Sequence, residues 1–285
     1  MKNGGACNSV WYNTRAILHK LTCKIIDLPR RDYAGFIVYM VLITALAPLS
    51  SANGFPLSTE DTGTLSQDRT KLEFILEQGD EKRQGAHEMS LTNELSLAHG
   101  LQDHLDVFLS LFYHTVRVER SNGSQLLHNG NGDTRTGIKW RFYTDKQLSM
   151  GIKMGLSLPS GDESKELGTG KTNPFINVIA SYAALPWGWH MDIGYRHNHN
   201  LLNQRENLWH VSTAVTRKFG DHWKVMIDVA SDVNRNPNSN EHPVSSTAGL
   251  AVAISKQAQL DLGLKYGLTD TATDVTFLAG VNVKF

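Results

Sequence analysis

Leu148, Met150, Ile152, Met154, Leu156 and Leu158 alternate with Ser149, Gly151, Lys153, Gly155 and Ser157. The same period of two returns at 189–196, 223–230 and 260–267. Successive side chains of a strand point to opposite faces, so each stretch carries one apolar face and one small or polar face. A slip of one residue would exchange the two faces, so strand register is strongly specified. Any fold for this chain must therefore keep one face of nearly every strand out of water.

Counting these stretches predicts about twelve strands, near 69–78, 88–98, 104–113, 133–143, 147–158, 173–185, 187–198, 206–218, 222–234, 244–255, 258–267 and 273–285. The connections alternate in length. Short turns fall at 100–103, 144–146, 186, 220–221 and 256–257, and long polar loops at 79–87, 114–132, 159–172, 200–205 and 235–243. An even strand number with short turns at one end and long loops at the other is the pattern of a transmembrane antiparallel up-and-down β-barrel of the bacterial outer membrane. Both chain ends then lie on the short-turn, periplasmic side. A secreted β-sandwich also alternates, because one face of each sheet packs on a core. The tryptophans favour the barrel: Trp140, Trp187, Trp189, Trp209 and Trp223 all fall in the apolar rows, several at strand ends, as interfacial aromatic girdles require. Asn93 interrupts the row Met89, Leu91, Leu95, Leu97 and has no explanation in the pattern.

The chain closes on FLAGVNVKF, with apolar Phe277, Ala279, Val281, Val283 and Phe285 in alternation to the last residue. A closed barrel pairs its final strand with its first, because open edges are not tolerated in lipid. Gly280, Val283 and Phe285 resemble the carboxy-terminal signal read by barrel-assembly machinery, which becomes an expected partner beside outer-membrane lipid.

Residues 34–49, AGFIVYMVLITALAPL, follow Arg30 and Arg31 and precede SSA at 50–52. A basic flank, a short apolar core and small residues mark a secretory signal peptide. Residues 1–52 are thus read as a leader, 53–68 as a short periplasmic amino-terminal segment, and 69–285 as the barrel. Cys7 and Cys23 both precede the boundary, which excludes disulfides, thiol nucleophiles and cysteine metal sites from the exported part. The whole chain has 28 basic and 28 acidic residues; six basic residues and two acidic ones lie in the leader, leaving 22 against 26. That balance disfavours nucleic acid as a partner.

Three motifs invite chemistry. ELGTGKT at 166–172 falls short of a phosphate loop, which needs Gly at position 165, where Lys stands, and a helix behind it. His190, His197, His199 and His210 cluster round one hairpin without a completing carboxylate spacing, and read as lumenal or rim histidines. His114 and Ser121 lack the strand-face spacing of a barrel lipid hydrolase. No cofactor or metal is expected.

Several stretches carry a family resemblance: FPLSTEDTGTL at 55–65, KWRFY at 139–143, GLSLPSGDESKELGTGKT at 155–172, IGYRHNHN at 193–200, LWHVSTAV at 208–215 and YGLTDTATDVTFLAGVNVKF at 266–285. Together they resemble the MetA-pathway-of-phenol-degradation family of outer-membrane transporters, over about 55–285. The resemblance implies a porin-like barrel passing small-molecule solutes, with aromatic or other hydrophobic acids as candidates. It carries over no site residue. An outer-membrane lipid hydrolase and a plugged structural barrel are the alternatives.

Taking the apolar row as outward makes Lys139, Arg141, Lys153, Arg196, Lys224 and Lys265 the basic pore lining, with Asp192, Asp228, Asp232 and Asp261 as the acidic members. Lys139, Arg141 and Lys153 have no lumenal carboxylate in their own strands. Either they attract anionic solutes, or they brace a plug or pair with strands 69–78 or 222–234. In a wet lumen, Asp228→Lys is expected to cost far less than Ile227→Lys.

Overall fold

The computed structural model describes residues 54–83 and 85–285. The leader, its signal peptide and both cysteines lie outside the described residues. No helix among those described is long and apolar enough to cross a membrane.

The strands are β1 (Thr70–Arg83), β2 (Ala86–Gln102), β3 (Leu105–Arg120), β4 (Gln125–Asn131), β5 (Thr134–Thr144), β6 (Leu148–Leu158), β7 (Asn173–Ala184), β8 (Trp187–His197), β9 (Asn207–Phe219), β10 (Trp223–Asp232), β11 (Val244–Ala253), β12 (Ala258–Gly267) and β13 (Val275–Lys284). All neighbours pair antiparallel. β4 and β5 both pair with β3, the first against Tyr113–Glu119 and the second against Leu105–Ser110, so they form one strand broken at Gly132 and Asp133. The barrel is therefore twelve-stranded. It closes where β1 meets β13, from Lys71 opposite Lys284 to Asp80 opposite Val275. Beyond that register Thr70 N–H donates to the Phe285 carbonyl and Phe285 N–H to the Thr70 carbonyl, each at 2.9 Å.

The alternation is realised as expected. In β10, Trp223, Val225, Ile227 and Val229 face outward and exposed, while Met226, Asp228 and Ala230 are buried inside. The five tryptophans among the described residues are outward, with Trp187, Trp189 and Trp223 towards the short-turn end and Trp209 packed on Tyr195, ring centroids 4.8 Å apart, towards the loops. Aliphatic side chains fill the band between them, which is the lipid-facing pattern of an outer-membrane barrel.

Two expected loops are strands. Residues 79–83 and 86–87 are the paired ends of β1 and β2, and 114–131 is an extended β3–β4 hairpin turning at 121–124. These arms carry Glu81, Lys82, Arg83, Glu88, Arg117 and Glu119 in place of an apolar row. Hydrophobic alternation records contact with lipid, so a strand that continues into water pairs through its backbone without it. Asn93 stands outward, opposite Leu76 and Tyr113; the structure offers no reason for it.

Residues 53–68 were expected as a short periplasmic segment ahead of the barrel. Those described, from Gly54 onward, run instead into its lumen, where they meet inward side chains of β3, β5, β6, β7 and β10.

Candidate functional site

The lumenal segment has built seats. Phe55 lies over Gly280, where a Cβ would come within 2.6 Å of its ring, and Pro56 lies over Gly249 and Gly263 at 2.7 and 2.8 Å. These three inward glycines on β11, β12 and β13 leave the groove that the two rings occupy. Gly280, expected as part of the assembly signal, thus also receives Phe55. Next, Ser58 N–H and Thr59 N–H donate to the Asp228 carboxylate at 2.6 and 3.1 Å. Thr62 N–H donates to Ser181 Oγ at 3.1 Å, and Leu65 N–H to both Asp106 oxygens at 3.1 Å. A short irregular segment has unpaired backbone donors, and inward carboxylates and hydroxyls satisfy them.

Charge fixes its middle. Lys139 Nζ lies 3.2 Å from Glu60 and 3.5 Å from Asp61, and Lys153 also pairs with Glu60. Burial alone would raise the Glu60 carboxyl, but the ammoniums of Lys153 and Lys139 outweigh it and hold the group below the usual carboxylate range. Asp61 is pulled the same way: its desolvation is overcome by Lys139, His190 and Lys224. The two lysines that lacked carboxylates in their own strands find them in the segment, so they brace a plug.

Other expected lining residues fall into distinct settings. Asp192 accepts from Asn177 at 2.9 and 3.0 Å, and Asp261 from Gln259 at 2.7 Å and Asn282 at 3.0 Å; with Asp228 they are almost completely buried. They are structural acids beneath the segment. Arg141 donates to the Asp103 carbonyl at the short-turn rim. Lys224 borders a cavity of about 500 Å³ at that end. Arg196, Asp232 and Lys265 line the main cavity, about 1020 Å³, which runs from the segment to the long loops.

The motif residues meet ordinary partners. His190 pairs with Ser181, His210 with Asp232 and His197 with His199, all within 2.9 Å. His114 pairs with Thr92, while the Ser121 hydroxyl donates to the Gly85 carbonyl, so the two are not a catalytic couple. ELGTGKT is a loop whose Thr169 donates twice to Asp133, at the β4–β5 break.

Sequence reasoning missed the segment and the inward aromatics Phe108 and Phe175. The signal for the aromatics lay in β3 and β7, whose inward rows hold phenylalanines among Asp106, Ser110, Asn173 and Asn177. Phe108 stands between outward Val107 and Leu109, and Phe175 precedes outward Ile176.

The profile of a family described as MetA-pathway of phenol degradation matches residues 92–285. No curated protein matches the sequence. Among solved structures, an outer membrane channel from Pseudomonas putida F1 superposes with a TM-score of 0.62 at 12 % identity, covering 80 % of this chain and 100 % of that one. The NanC porin gives 0.51 at 11 %, covering 76 % and 100 %, and the KdgM porin 0.50 at 7 %, covering 75 % and 99 %. At such identities the likeness is one of fold.

Proposed function

From the membership of this chain in the MetA-pathway-of-phenol-degradation family, we propose that it is a passive outer-membrane channel for small solutes, narrowed at rest by its own residues 54–66. The observation that carries the reading is the lumen. Small barrels fill their interior with side chains, whereas this one keeps a charged cavity of about 1020 Å³ against a separately docked segment. The segment is held by hydrogen bonds and ion pairs rather than by strand pairing, so displacing it does not require opening the sheet. Solutes enter between the long loops, cross the main cavity and pass the segment.

Planar-bilayer recording of the mature protein tests this. Small discrete conductances are expected from the wild type. Larger ones are expected from Glu60→Gln/Asp61→Asn, which leaves Lys139 and Lys153 facing each other without anions. A barrel silent in both forms, yet folded by heat-modifiability, would overturn the reading and favour a plugged structural barrel.

A further inference from the structure

One wall of the main cavity combines aromatic and cationic side chains beside the segment, with the Lys153 ammonium 5.2 Å from the centre of the Phe108 ring. Phe108, Gly137, Gly155, Phe175 and Arg196 stand opposite one another in turn across β3, β5, β6, β7 and β8. The two glycines put no side chain between the two phenyl groups. Phe175 leans over Gly155, where a Cβ would come within 2.9 Å of its Cζ, and the ring centroids of Phe108 and Phe175 lie 6.4 Å apart. The row therefore presents a continuous aromatic patch on an otherwise polar lining.

Cations border the patch. Arg196 is the immediate cross-strand neighbour of Phe175. Arg135, one residue pair along β5, lays its guanidinium over Phe112 at 4.7 Å. Arg235 reaches the same cavity from the loop after β10. Among the described residues, none of the three side chains forms a salt bridge or donates to a carboxylate. Nε of Arg135 and Nε of Arg196 are both buried and meet no acceptor. The carboxylates of Glu94 on β2, opposite Phe112, and of Glu77 on β1 line the same side of the cavity without an ion pair to Arg135. Buried N–H donors without acceptors are rare, because each forfeits its hydration. A guanidinium is built to hold a planar anion through two parallel hydrogen bonds.

We propose that this wall is a binding site for small anionic solutes with a flat apolar body, the head group on Arg196 and Arg135 and the body on Phe108 and Phe175. This deepens the channel reading and rests on it for its purpose: the site would select among solutes in the main cavity. Glu94 and Glu77, on the neighbouring strands β2 and β1, would repel a second anionic group, so the wall suits monoanions. The three probes below separate charge from shape.

Calorimetric titration of the full mature protein in detergent with benzoate, acetate and benzylamine tests the site. Benzoate is expected to bind saturably and about tenfold tighter than either of the others. Arg196→Gln should weaken benzoate about tenfold, and Phe175→Leu should shrink the gap between benzoate and acetate while leaving acetate unchanged. Absence of saturable benzoate binding, equal affinity for acetate or for benzylamine, or an unaltered folded Arg196→Gln would each overturn the proposal. The comparison of the three probes on wild type needs no variant, so it stands even if a substitution blocks folding. Conductance measured on the same preparation separates the two readings: a conducting barrel that ignores benzoate removes the site and leaves the channel, and a silent barrel that binds benzoate removes the channel and leaves the site.

Discussion

Glu60 shows how far a single residue can be read from sequence. Lys139 and Lys153 were visible as lumenal cations without partners in their own strands, but nothing in a period of two says that the partner comes from ahead of the barrel. The depressed carboxyl has a definite consequence for acid. A carboxylate held below its ordinary range contributes stability that is complete above the unfolded value and lost only as pH falls through the lower folded one. Lowering the pH to about 4.5, near an unperturbed Glu, should therefore leave the wild-type conductance unchanged, and an acid-triggered rise in that range would count against the ion pairs. A second residue corrects an expectation. Ile227, outward and 54 % exposed, should cost about 2–4 kcal/mol as Lys if it lies near the bilayer midplane. Asp228 was expected to tolerate Lys in a wet lumen, but it is buried and accepts from Ser58, Thr59 and Thr247. Asp228→Lys should thus also destabilise in a urea titration, and should raise conductance by unseating the segment, which Ile227→Lys should not do.

At the level of elements, lipid contact decided what could be read. The strands from β5 to β13 were placed within a few residues because lipid demands apolar side chains on one face throughout. β4 and the outer ends of β1, β2 and β3 were invisible, since a hairpin standing in water satisfies its backbone without an apolar row. The final strand belongs to the readable class, and its last residue is tied on both sides by the reciprocal bonds to Thr70. Deleting Phe285 removes both bonds at the seam, together with the aromatic end of the proposed assembly signal. The heat-modifiable fraction in the outer membrane should fall, and an unchanged fraction would show that closure from Lys71 to Asp80 suffices alone.

For the molecule as a whole, the barrel was legible and the contents of its lumen were not. An inward face is defined in sequence only by being less apolar than the outward one, so a solvated charge, a buried structural acid such as Asp261 and a docking glycine such as Gly263 look alike. The lumenal segment joins distant parts of the chain: Ser58 and Asp228 are 170 residues apart in sequence, and Glu60 and Lys153 are 93 apart. Contacts of such separation form only once the intervening chain is ordered. Residues 54–66 should therefore be the last to find their place. A nascent barrel would pass through a hollow stage, with its amino-terminal end still outside and open to attack. Protease added at intervals during refolding should remove residues 54–66 until after heat-modifiability is complete; protection that precedes closure would reverse the order. The segment then works as a seal that sets only on a finished wall, so a misassembled barrel would be marked by an end it cannot tuck in.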